Sequence, residues 1–313
     1  MSVVKYIHFN SSNVSAELPG VVCLGNFDGV HIGHAKLIEE TLKMRNASNE
    51  AVKACALCFD PFPADYFSKS PVYHIMSLEE KLKTFESLGL DGAFVCAFDQ
   101  IHDYLPDKFI SNILLSECNC RGVVCGFNYR FGHRAMGTPE DLRSAFQNFK
   151  MVEPVMMKWE TVSSTVIKEK IESGNIEGAN EMLGRPYYMI HSVTHGKKLG
   201  TKLGFPTINY IFDKSDLLPA FGIYVTSTEI EGHKYMSVTN IGIRPTVEDG
   251  RDFVTCETHI IDFDKGMDIY GCKVKVSFFK KIRNEQKFSS FQDLSNAIAN
   301  DVDTARNFFT SLK

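Results

Sequence analysis

The 313-residue chain has no apolar run long enough to cross a membrane, and its first residues lack the apolar core of a secretory signal peptide. It also lacks a basic excess, because its formal net charge is −4 at pH 7. This balance argues against a nucleic-acid-binding surface. The nine cysteines are an odd number without the spacing of a disulfide framework. We therefore expect a cytoplasmic protein without nucleic-acid or membrane partners.

The chain also lacks internal repeats, and its pattern changes near residue 185. Before that point, apolar runs such as Val21–Leu24 and Val52–Phe59 alternate with helical patterns such as Ala35–Met44. This alternation predicts an α/β domain at 1–185 with a parallel sheet covered on both faces. After it, six strand-like runs follow one another, which predicts a small antiparallel β-barrel domain at 186–313. Two helices, at 290–299 and 302–312, are expected to end the chain.

The most informative segment is Gly25–His34, which reads Gly-Asn-Phe-Asp-Gly-Val-His-Ile-Gly-His and follows an apolar strand. Its glycines allow the backbone to approach a phosphate, and the helix that follows offers free N–H groups and a positive dipole end. His31 and His34 are three residues apart, and two imidazoles there suit charge stabilisation on pentavalent phosphorus. No serine or cysteine accompanies them, which argues against a covalent intermediate.

A second phosphate-binding candidate precedes the second strand of the barrel half. Three glycines at four-residue spacing enclose a lysine-rich loop, which contains Gly196, Gly200, Lys202 and Gly204. The loop is not a Walker loop, because it lacks the Gly-Lys-Ser/Thr ending and a following helix. Thr207 and Asn209 alternate with Ile208, so both face one side of a strand. Their oxygens are ligands of the kind that Mg²⁺ accepts.

The residues alone leave the role of three other segments open. Glu257 lies in a strand-like run and could accept a proton, but its spacing favours a solvated strand face. Ser163–Thr165 begins a helix, where an N-cap is the favoured interpretation. Cys55 and Cys58 form a Cys-x-x-Cys pattern, yet they lie in an apolar run, which favours buried thiols over zinc ligands.

Taken together, the motifs resemble the bacterial bifunctional riboflavin kinase/FMN adenylyltransferase family. The first half resembles the nucleotidyltransferases that carry the His-x-Gly-His signature, through Gly25–His34, Gly126–Gly132 and Ser163–Thr165. The second half resembles the riboflavin kinase module, through Gly204–Asn209, Asn240–Thr246, Glu257–Phe263, Tyr270–Gly271 and Arg283–Phe288. The match spans essentially the whole chain. It implies a Rossmann-like nucleotidyltransferase domain followed by an antiparallel β-barrel kinase domain.

For the barrel half, the resemblance implies phosphorylation of the ribityl 5′-hydroxyl of riboflavin by ATP and Mg²⁺, which gives FMN. Thr207 and Asn209 would hold the metal ion, and Glu257 would be the general base. The 196–204 loop would cover the ATP phosphates. The residues that would bind the flavin are Arg283, Glu285 and Phe288.

For the first half, the resemblance implies transfer of AMP from ATP to FMN, which gives FAD and pyrophosphate. His31 and His34 would stabilise the triphosphate and its transition state. The residues expected to bind the nucleotide are Gly25, Asn26, Phe27, Asp28, Gly33, Ser164, Thr165 and Lys168. Asn128 is expected to contact the flavin or the nucleotide.

Two departures from the family pattern lie in the first half. Phe62 stands where the family usually has histidine, and Lys168 stands where it usually has arginine. One alternative is therefore a riboflavin kinase with a degenerate first domain. An aminoacyl-tRNA synthetase is disfavoured because no Lys-Met-Ser-Lys-Ser segment follows, and Glu257 argues against a flavin-binding regulator without turnover. Weak self-association remains an open alternative.

Overall fold

The computed structural model describes residues 3–7, 19–194, 204–212, 216–245, 252–263 and 269–312. The chain divides into two compact units, Met1–Ser164 and Thr165–Lys313. The domain boundary near residue 185 stays a prediction. None of the helices in the described ranges is both long enough and apolar enough to span a membrane.

The first unit contains six strands of one sheet, a short hairpin and several helices. The strands are β1 Val3–Ile7, β2 Gly20–Leu24, β3 Lys53–Phe59, β4 Gly92–Cys96, β5 Cys120–Gly126 and β6 Asn148–Val152, and the hairpin is β7 Met156–Met157 with β8 Glu160–Thr161. The helices are α1 Ile32–Asn46, α2 Pro63–Phe67, α3 Leu78–Ser87, α4 Phe98–Ile101, α5 Pro106–Lys108 and α6 Pro139–Ala145, together with a π-helix at Phe109–Glu117 and a 3-10 turn at His133–Ala135.

The sheet of the first unit is parallel throughout, with the strand order β1-β4-β3-β2-β5-β6. Every residue of β2 is buried, and hydrophobic clusters cover both faces of the sheet. The predicted α/β fold is therefore confirmed. The edge strands β1 and β6 were not predicted from the sequence. The side chains of β6 are mostly exposed or half-buried, so this strand carries no continuous apolar run.

In the described part of the second unit there are three helices and six strands. The helices are α7 Ser164–Ser173, α8 Ile176–Leu183 and α9 Phe291–Ser311. The strands are β9 Tyr187–Ser192, β10 Thr207–Ile211, β11 Gly222–Ile230, β12 His233–Pro245, β13 Asp252–Ile260 and β14 Lys273–Arg283.

The six strands form an antiparallel sheet with the order β10-β13-β12-β11-β14-β9. The residue Thr194, just after β9, joins the two edges of this sheet, because its backbone N–H donates to the carbonyl of Asn209 in β10 at 2.7 Å. The strands therefore curl into the predicted small barrel.

Buried hydroxyl groups fix the register of the barrel strands. Thr239 of β12 and Thr258 of β13 are fully buried, and their hydroxyl oxygens lie 2.7 Å apart. The Thr239 hydroxyl is 2.8 Å from that of Thr226 in β11. Because successive residues of a strand point to opposite faces, Asn240 and Glu257 face away from this hydroxyl network. A slip of one residue would reverse both faces.

The C-terminal segment is one helix, α9, and the prediction of two helices is wrong. The expected break at residues 300–301 falls on Asp301, whose side chain is buried in the helix and paired with Arg283. Asp301, Val302 and Ala305 form the buried face of this part of α9. The helix continues through Asp301, because its charge is paired with Arg283 of β14.

Candidate active sites

The glycine-rich turn lies at the carboxyl edge of the sheet in the first unit. It follows β2, and the segment Gly126–Gly132 follows the neighbouring strand β5, with Leu24 paired to Cys125. The strand order reverses here, because β3 lies on one side of β2 and β5 on the other. Open α/β sheets bind ligands in the crevice at such a reversal. The predicted phosphate-binding turn therefore occupies the ligand position of this fold class.

The turn has left-handed backbone conformations at several residues before α1. The φ angles are 53° at Phe27, 79° at Gly29 and 37° at Val30. The Val30 N–H donates to the Phe27 carbonyl at 3.2 Å. A Cβ at position 29 would lie 2.9 Å from Ile75 side-chain atoms, so glycine is required there. The buried Phe27 ring packs edge to face on Phe85 at 5.1 Å and anchors the turn.

The two histidines flank the start of α1, which begins at Ile32 rather than near Ala35 as predicted. His31 is the N-cap residue, and its Nδ1 accepts a hydrogen bond from the His34 backbone N–H at 3.3 Å. The two rings stack, with centroids 3.6 Å apart and an angle of 18°. A Cβ at position 33 would lie 3.1 Å from the His31 ring, so Gly33 leaves room for it. The structure thus brings both histidines to the positive end of α1.

Backbone groups of the turn also have partners within the first unit. The Gly25 N–H donates to the Leu57 carbonyl at 3.4 Å, so it is engaged with the neighbouring strand β3. The Ser164 hydroxyl donates to the Asp28 carbonyl at 2.9 Å. The buried Asp28 carboxylate accepts the Ile75 N–H at 2.9 Å. Ser164 and Asp28 are therefore in contact. The Gly25 N–H is used in the hydrogen bond to Leu57 and does not point to a ligand.

The remaining predicted residues of the adenylyltransferase site lie on exposed or half-buried positions. Asn128 is exposed in the turn that follows β5. Thr165 is exposed and Lys168 is half-buried, and both lie in α7 within the second unit.

Three residues around the turn were missed or misjudged from the sequence: Phe62, His74 and Lys81. The Lys81 ammonium donates to the Asn26 carbonyl at 2.9 Å, and the His74 ring stacks on Phe62 at 4.1 Å. His74 and Lys81 belong to no phosphate-binding motif, so the sequence carries no signal for their position. Phe62 was noticed only as a departure from a family pattern.

The second unit contains a cavity of about 330 Å³ between the outer face of the barrel and α9. Five predicted site residues line it: Thr207, Glu257, Arg283, Glu285 and Phe288. The structure therefore brings together residues from β10, β13 and β14 and from the segment after β14. These five residues are spread over about 80 positions of the sequence, so their spacing did not indicate that they line one cavity.

Strand register aligns the polar residues of the cavity in one row. Asn209 is paired with Glu257, and Glu257 is paired with Asn240. Asn240 is paired with Ile223, which in turn is paired with Arg283. Paired residues of neighbouring strands point to the same face. The row places an amide, a carboxylate, a second amide and a guanidinium along one face of the barrel.

The Arg283 guanidinium is held in place from both sides. Its Nε and Nη2 donate to the two carboxylate oxygens of Asp301, at 3.0 and 2.7 Å. Its charged group also lies 5.6 Å from the centre of the Phe288 ring. The Glu285 carboxylate packs against Gly242, and a Cβ at that position would displace it. Asp301 therefore neutralises Arg283, and the carboxylates of Glu257 and Glu285 also line the cavity.

Three polar residues that line this cavity were not predicted as site residues: Asn240, His259 and Asp301. Among the described residues, the Asn240 Oδ1 is buried without a hydrogen-bond partner. The His259 Nδ1 lies 2.9 Å from the Pro206 carbonyl oxygen. Asn240 and His259 belong to segments that carry the family resemblance, so the sequence could have indicated them. Asp301 lies in no such segment, and nothing in the sequence pointed to it.

Not every predicted kinase residue lines the cavity. Asn209 lies beside Glu257 in the sheet but is not among the lining residues. Gly204 is exposed, with a φ of 86°. Gly196, Gly200 and Lys202 lie outside the described residues.

Cys55 and Cys58, the Cys-x-x-Cys pair, are buried thiols in β3. Burial raises their pKa to about 12 and about 11, which opposes formation of a thiolate. Within the described ranges, no group of three or more His, Cys, Asp or Glu residues is placed to hold a metal ion.

The fold defines a two-domain protein with two candidate sites, one at an α/β switch point and one on a β-barrel. Residues 14–166 match the family model for FAD synthetase, and residues 183–309 match that for riboflavin kinase.

Curated relatives cover the full length of the chain. A protein named bifunctional riboflavin kinase/FMN adenylyltransferase from Bacillus subtilis is 31% identical over 100% of both chains. One of the same name from Haemophilus influenzae is 32% identical over 99% of this chain and 100% of its own length. The chain belongs to the bifunctional riboflavin kinase/FMN adenylyltransferase family, whose members are transferases. The family resemblance seen in the motifs is confirmed.

A solved structure has the same fold over nearly the whole chain. The crystal structure described as a macrolide-efflux protein from Streptococcus pneumoniae superposes with a TM-score of 0.87 and 28% sequence identity. The superposition covers 97% of this chain and 99% of the other.

Proposed function

We propose that the chain makes FAD from riboflavin in two steps, with the kinase site in the second unit and the adenylyltransferase site in the first. The observation that carries the kinase assignment is the row from Asn209 through Glu257 and Asn240 to Arg283, beside a cavity of about 330 Å³. Family membership supports both activities.

In the kinase step, the ribityl 5′-hydroxyl oxygen of riboflavin attacks the γ-phosphorus of ATP. Glu257 accepts the hydroxyl proton as the new O–P bond forms and the bond to the ADP oxygen breaks. Arg283, whose guanidinium is fixed by Asp301, lines the cavity and positions the flavin there. Phe288 and Glu285 line the same space and contact the flavin.

The residues beside Glu257 fit a magnesium ion. The Thr207 hydroxyl and the Asn209 amide lie on one face of β10, and the Asn240 Oδ1 is a buried oxygen without a partner among the described residues. Neutral oxygen donors beside two carboxylates match the preference of Mg²⁺. We assign Thr207 and Asn209 as ligands of a Mg²⁺–ATP complex. When bound, the ion neutralises charge on the phosphates.

In the adenylyltransferase step, an FMN phosphate oxygen attacks the α-phosphorus of ATP, and pyrophosphate leaves. The Nδ1 of His31 accepts the His34 backbone N–H, so the proton of a neutral His31 ring resides on Nε2, where it is a donor for a phosphate oxygen. His34 stacks on this ring and adds a second imidazole. The start of α1 supplies backbone N–H groups to the anion.

We assign the other nucleotide-binding roles to the remaining residues that the resemblance implied, including Asn128, Thr165 and Lys168. We place both reactions in the cytoplasm, without a nucleic-acid partner and with at most weak self-association. All nine cysteines are unpaired, which is consistent with a reducing compartment.

The decisive experiment separates the two steps. The purified protein is incubated with ATP and Mg²⁺, once with riboflavin and once with FMN, in oxidised and reduced form, and the flavins are resolved by chromatography. FMN from riboflavin and FAD from FMN are expected. A protein that makes FMN but no FAD under any of these conditions would be a kinase alone.

A further inference from the structure

Phe62 lies between a histidine and a lysine. The His74 ring stacks on Phe62 with centroids 4.1 Å apart and an angle of 13°, and the Lys81 Nζ lies 3.7 Å from the centre of the same ring. Two groups this close cannot share one face of a phenyl ring, so they cover opposite faces. We call His74, Phe62 and Lys81 the Phe62 stack.

Both outer members of the Phe62 stack reach the glycine-rich turn. Lys81 donates to the Asn26 carbonyl at 2.9 Å. The His74 Nδ1 lies 3.8 Å from one carboxylate oxygen of Asp28, whose other oxygen accepts the Ile75 N–H at 2.9 Å. The stack therefore contacts the turn at two residues that are two positions apart.

The imidazole of His74 is fixed between two carboxylates. Its Nε2 lies 2.8 and 3.1 Å from the carboxylate oxygens of Asp65 in α2. Its Nδ1, on the side of Asp28, is buried and has no hydrogen-bond partner in the described part of the chain. A protonated ring in this position would donate to Asp65 and attract the buried Asp28 carboxylate.

Lys81 is fully buried, and burial lowers the pKa of its ammonium group. No carboxylate of the described residues lies within ion-pair distance of it. The Phe62 ring and the Asn26 carbonyl therefore stabilise its charge. A histidine in place of Phe62 would replace this electron-rich face with a ring that can itself become positively charged.

We propose that the Phe62 stack positions the glycine-rich turn for ATP binding. Lys81 fixes the carbonyl of Asn26, His74 packs beside the carboxylate of Asp28 at 3.8 Å, and the Phe62 ring holds both. Phe62 is then a positioning residue that supports FAD synthesis. This inference rests on the proposed role of the turn in ATP binding.

The test measures FAD synthesis from FMN as a function of ATP concentration in the full-length protein. Phe62→Leu and His74→Gln are each expected to raise the KM for ATP about five- to tenfold, with a smaller change in kcat. Phe62→Tyr keeps a stacking ring and should retain the wild-type KM. Phe62→His should give no gain in rate. Phe62→Leu and His74→Gln disturb the same stack. The variant that combines them should therefore raise the KM for ATP little more than the single substitution with the larger effect.

The control is Phe149→Leu, which removes another aromatic ring that lies against a cation, Arg143, elsewhere in the first unit. It should leave the KM for ATP unchanged. Circular dichroism of each variant reports whether the first unit is folded, and riboflavin phosphorylation reports the concentration of folded second unit.

Three outcomes would overturn the inference. They are a wild-type KM in His74→Gln and Phe62→Leu, a lowered kcat with unchanged KM, and faster FAD synthesis by Phe62→His. A wild-type protein that makes no FAD would overturn the proposed function and this inference with it. FAD synthesis with insensitive variants would overturn the inference alone.

Discussion

Arg283 and Asp301 form a bidentate ion pair at the edge of the kinase cavity. The two donor–acceptor distances are 3.0 and 2.7 Å, and Asp301 is only 4% exposed. A buried carboxylate that accepts two hydrogen bonds from one guanidinium fixes both the position and the orientation of the guanidinium. The pair joins the last barrel strand to α9, so the helix takes part in building the site.

We expect Asp301→Asn to lower kcat/KM for riboflavin phosphorylation by about tenfold or more, because removing one partner leaves a buried charge unpaired. FAD synthesis from FMN should change little. Steady-state kinetics of both steps give the comparison. The matched control is Asp303→Asn, which changes an exposed carboxylate on the same helix. Equal losses in both steps would indicate unfolding rather than a local effect.

Glu257→Gln should abolish FMN formation while the barrel stays folded, because the amide has the same shape but cannot accept the proton. General-base catalysis typically contributes 10²–10⁴-fold. The measurement is FMN formed per minute at saturating riboflavin and ATP. Glu231→Gln, at an exposed turn between β11 and β12, is the control. If Glu257→Gln kept more than about a tenth of the wild-type rate, Glu257 would not be the base.

Part of each candidate site could be predicted from the sequence. The glycine-rich turn and its histidines were predicted because their chemistry is local: a strand, a turn and a helix start are adjacent in the chain. The fold class followed from the change in hydrophobic pattern near residue 185. Five cavity residues were found because they lie within segments that resemble a known family.

Other features depended on contacts between distant segments. Asn240 belongs to the kinase row because of the register between β12 and β13, and buried hydroxyl groups on the opposite face fix that register. Asp301 contributes to the kinase site because it pairs with Arg283, which lies 18 residues away in the chain. His74 lies beside the glycine-rich turn through packing on Phe62. No periodicity in the sequence encodes these contacts.

His31→Asn should abolish FAD formation and leave riboflavin phosphorylation intact. Asparagine is a good N-cap residue, so α1 keeps a capping acceptor and loses only the imidazole. His31→Ala should in addition lower the stability of the protein by about 1 kcal/mol, because the cap is lost. FAD synthesis from FMN and thermal unfolding measure the two effects separately. His102→Asn, elsewhere in the first unit, is the control, and an active His31→Asn would refute the assigned role.

Buried cysteines predict a loss of stability at alkaline pH. Burial raises the pKa of Cys23 to about 12 and that of Cys58 to about 11, against an ordinary value of 9.0. The folded state then keeps protons that the unfolded chain releases, so this stabilisation is complete below pH 9.0 and is lost as the pH rises through the folded-state values. The expected slope is about 1.4 kcal/mol per pH unit for each thiol.

Urea unfolding between about pH 8 and pH 10.5 gives the slope of stability against pH for this test. Cys58→Ala should make the slope less steep by the contribution of one thiol. Identical slopes in wild type and Cys58→Ala would show that the thiol titrates normally in the folded protein.

The helices α7 and α8 contribute to the stability of the barrel, although the sequence suggested a boundary after them. The Asn180 side chain of α8 accepts the Tyr187 N–H at 2.7 Å and donates to the Phe278 carbonyl at 2.8 Å. The Ala220 N–H donates to the Ile171 carbonyl of α7 at 3.3 Å. Four residues of α8 are buried: Ile176, Ala179, Met182 and Leu183.

A fragment of residues 165–313 should therefore unfold at a higher temperature than a fragment of residues 186–313, and both should contain the complete kinase row. Burial of an aliphatic side chain is worth about 1.5–3 kcal/mol, so loss of the α8 face should cost several degrees of thermal stability. Circular dichroism and riboflavin phosphorylation are measured on both. Asn180→Ala in the longer fragment should reproduce part of the loss, while Glu181→Ala on the exposed face of α8 should not. Equal stability of the two fragments would place the boundary near residue 185 and make α7 and α8 a linker.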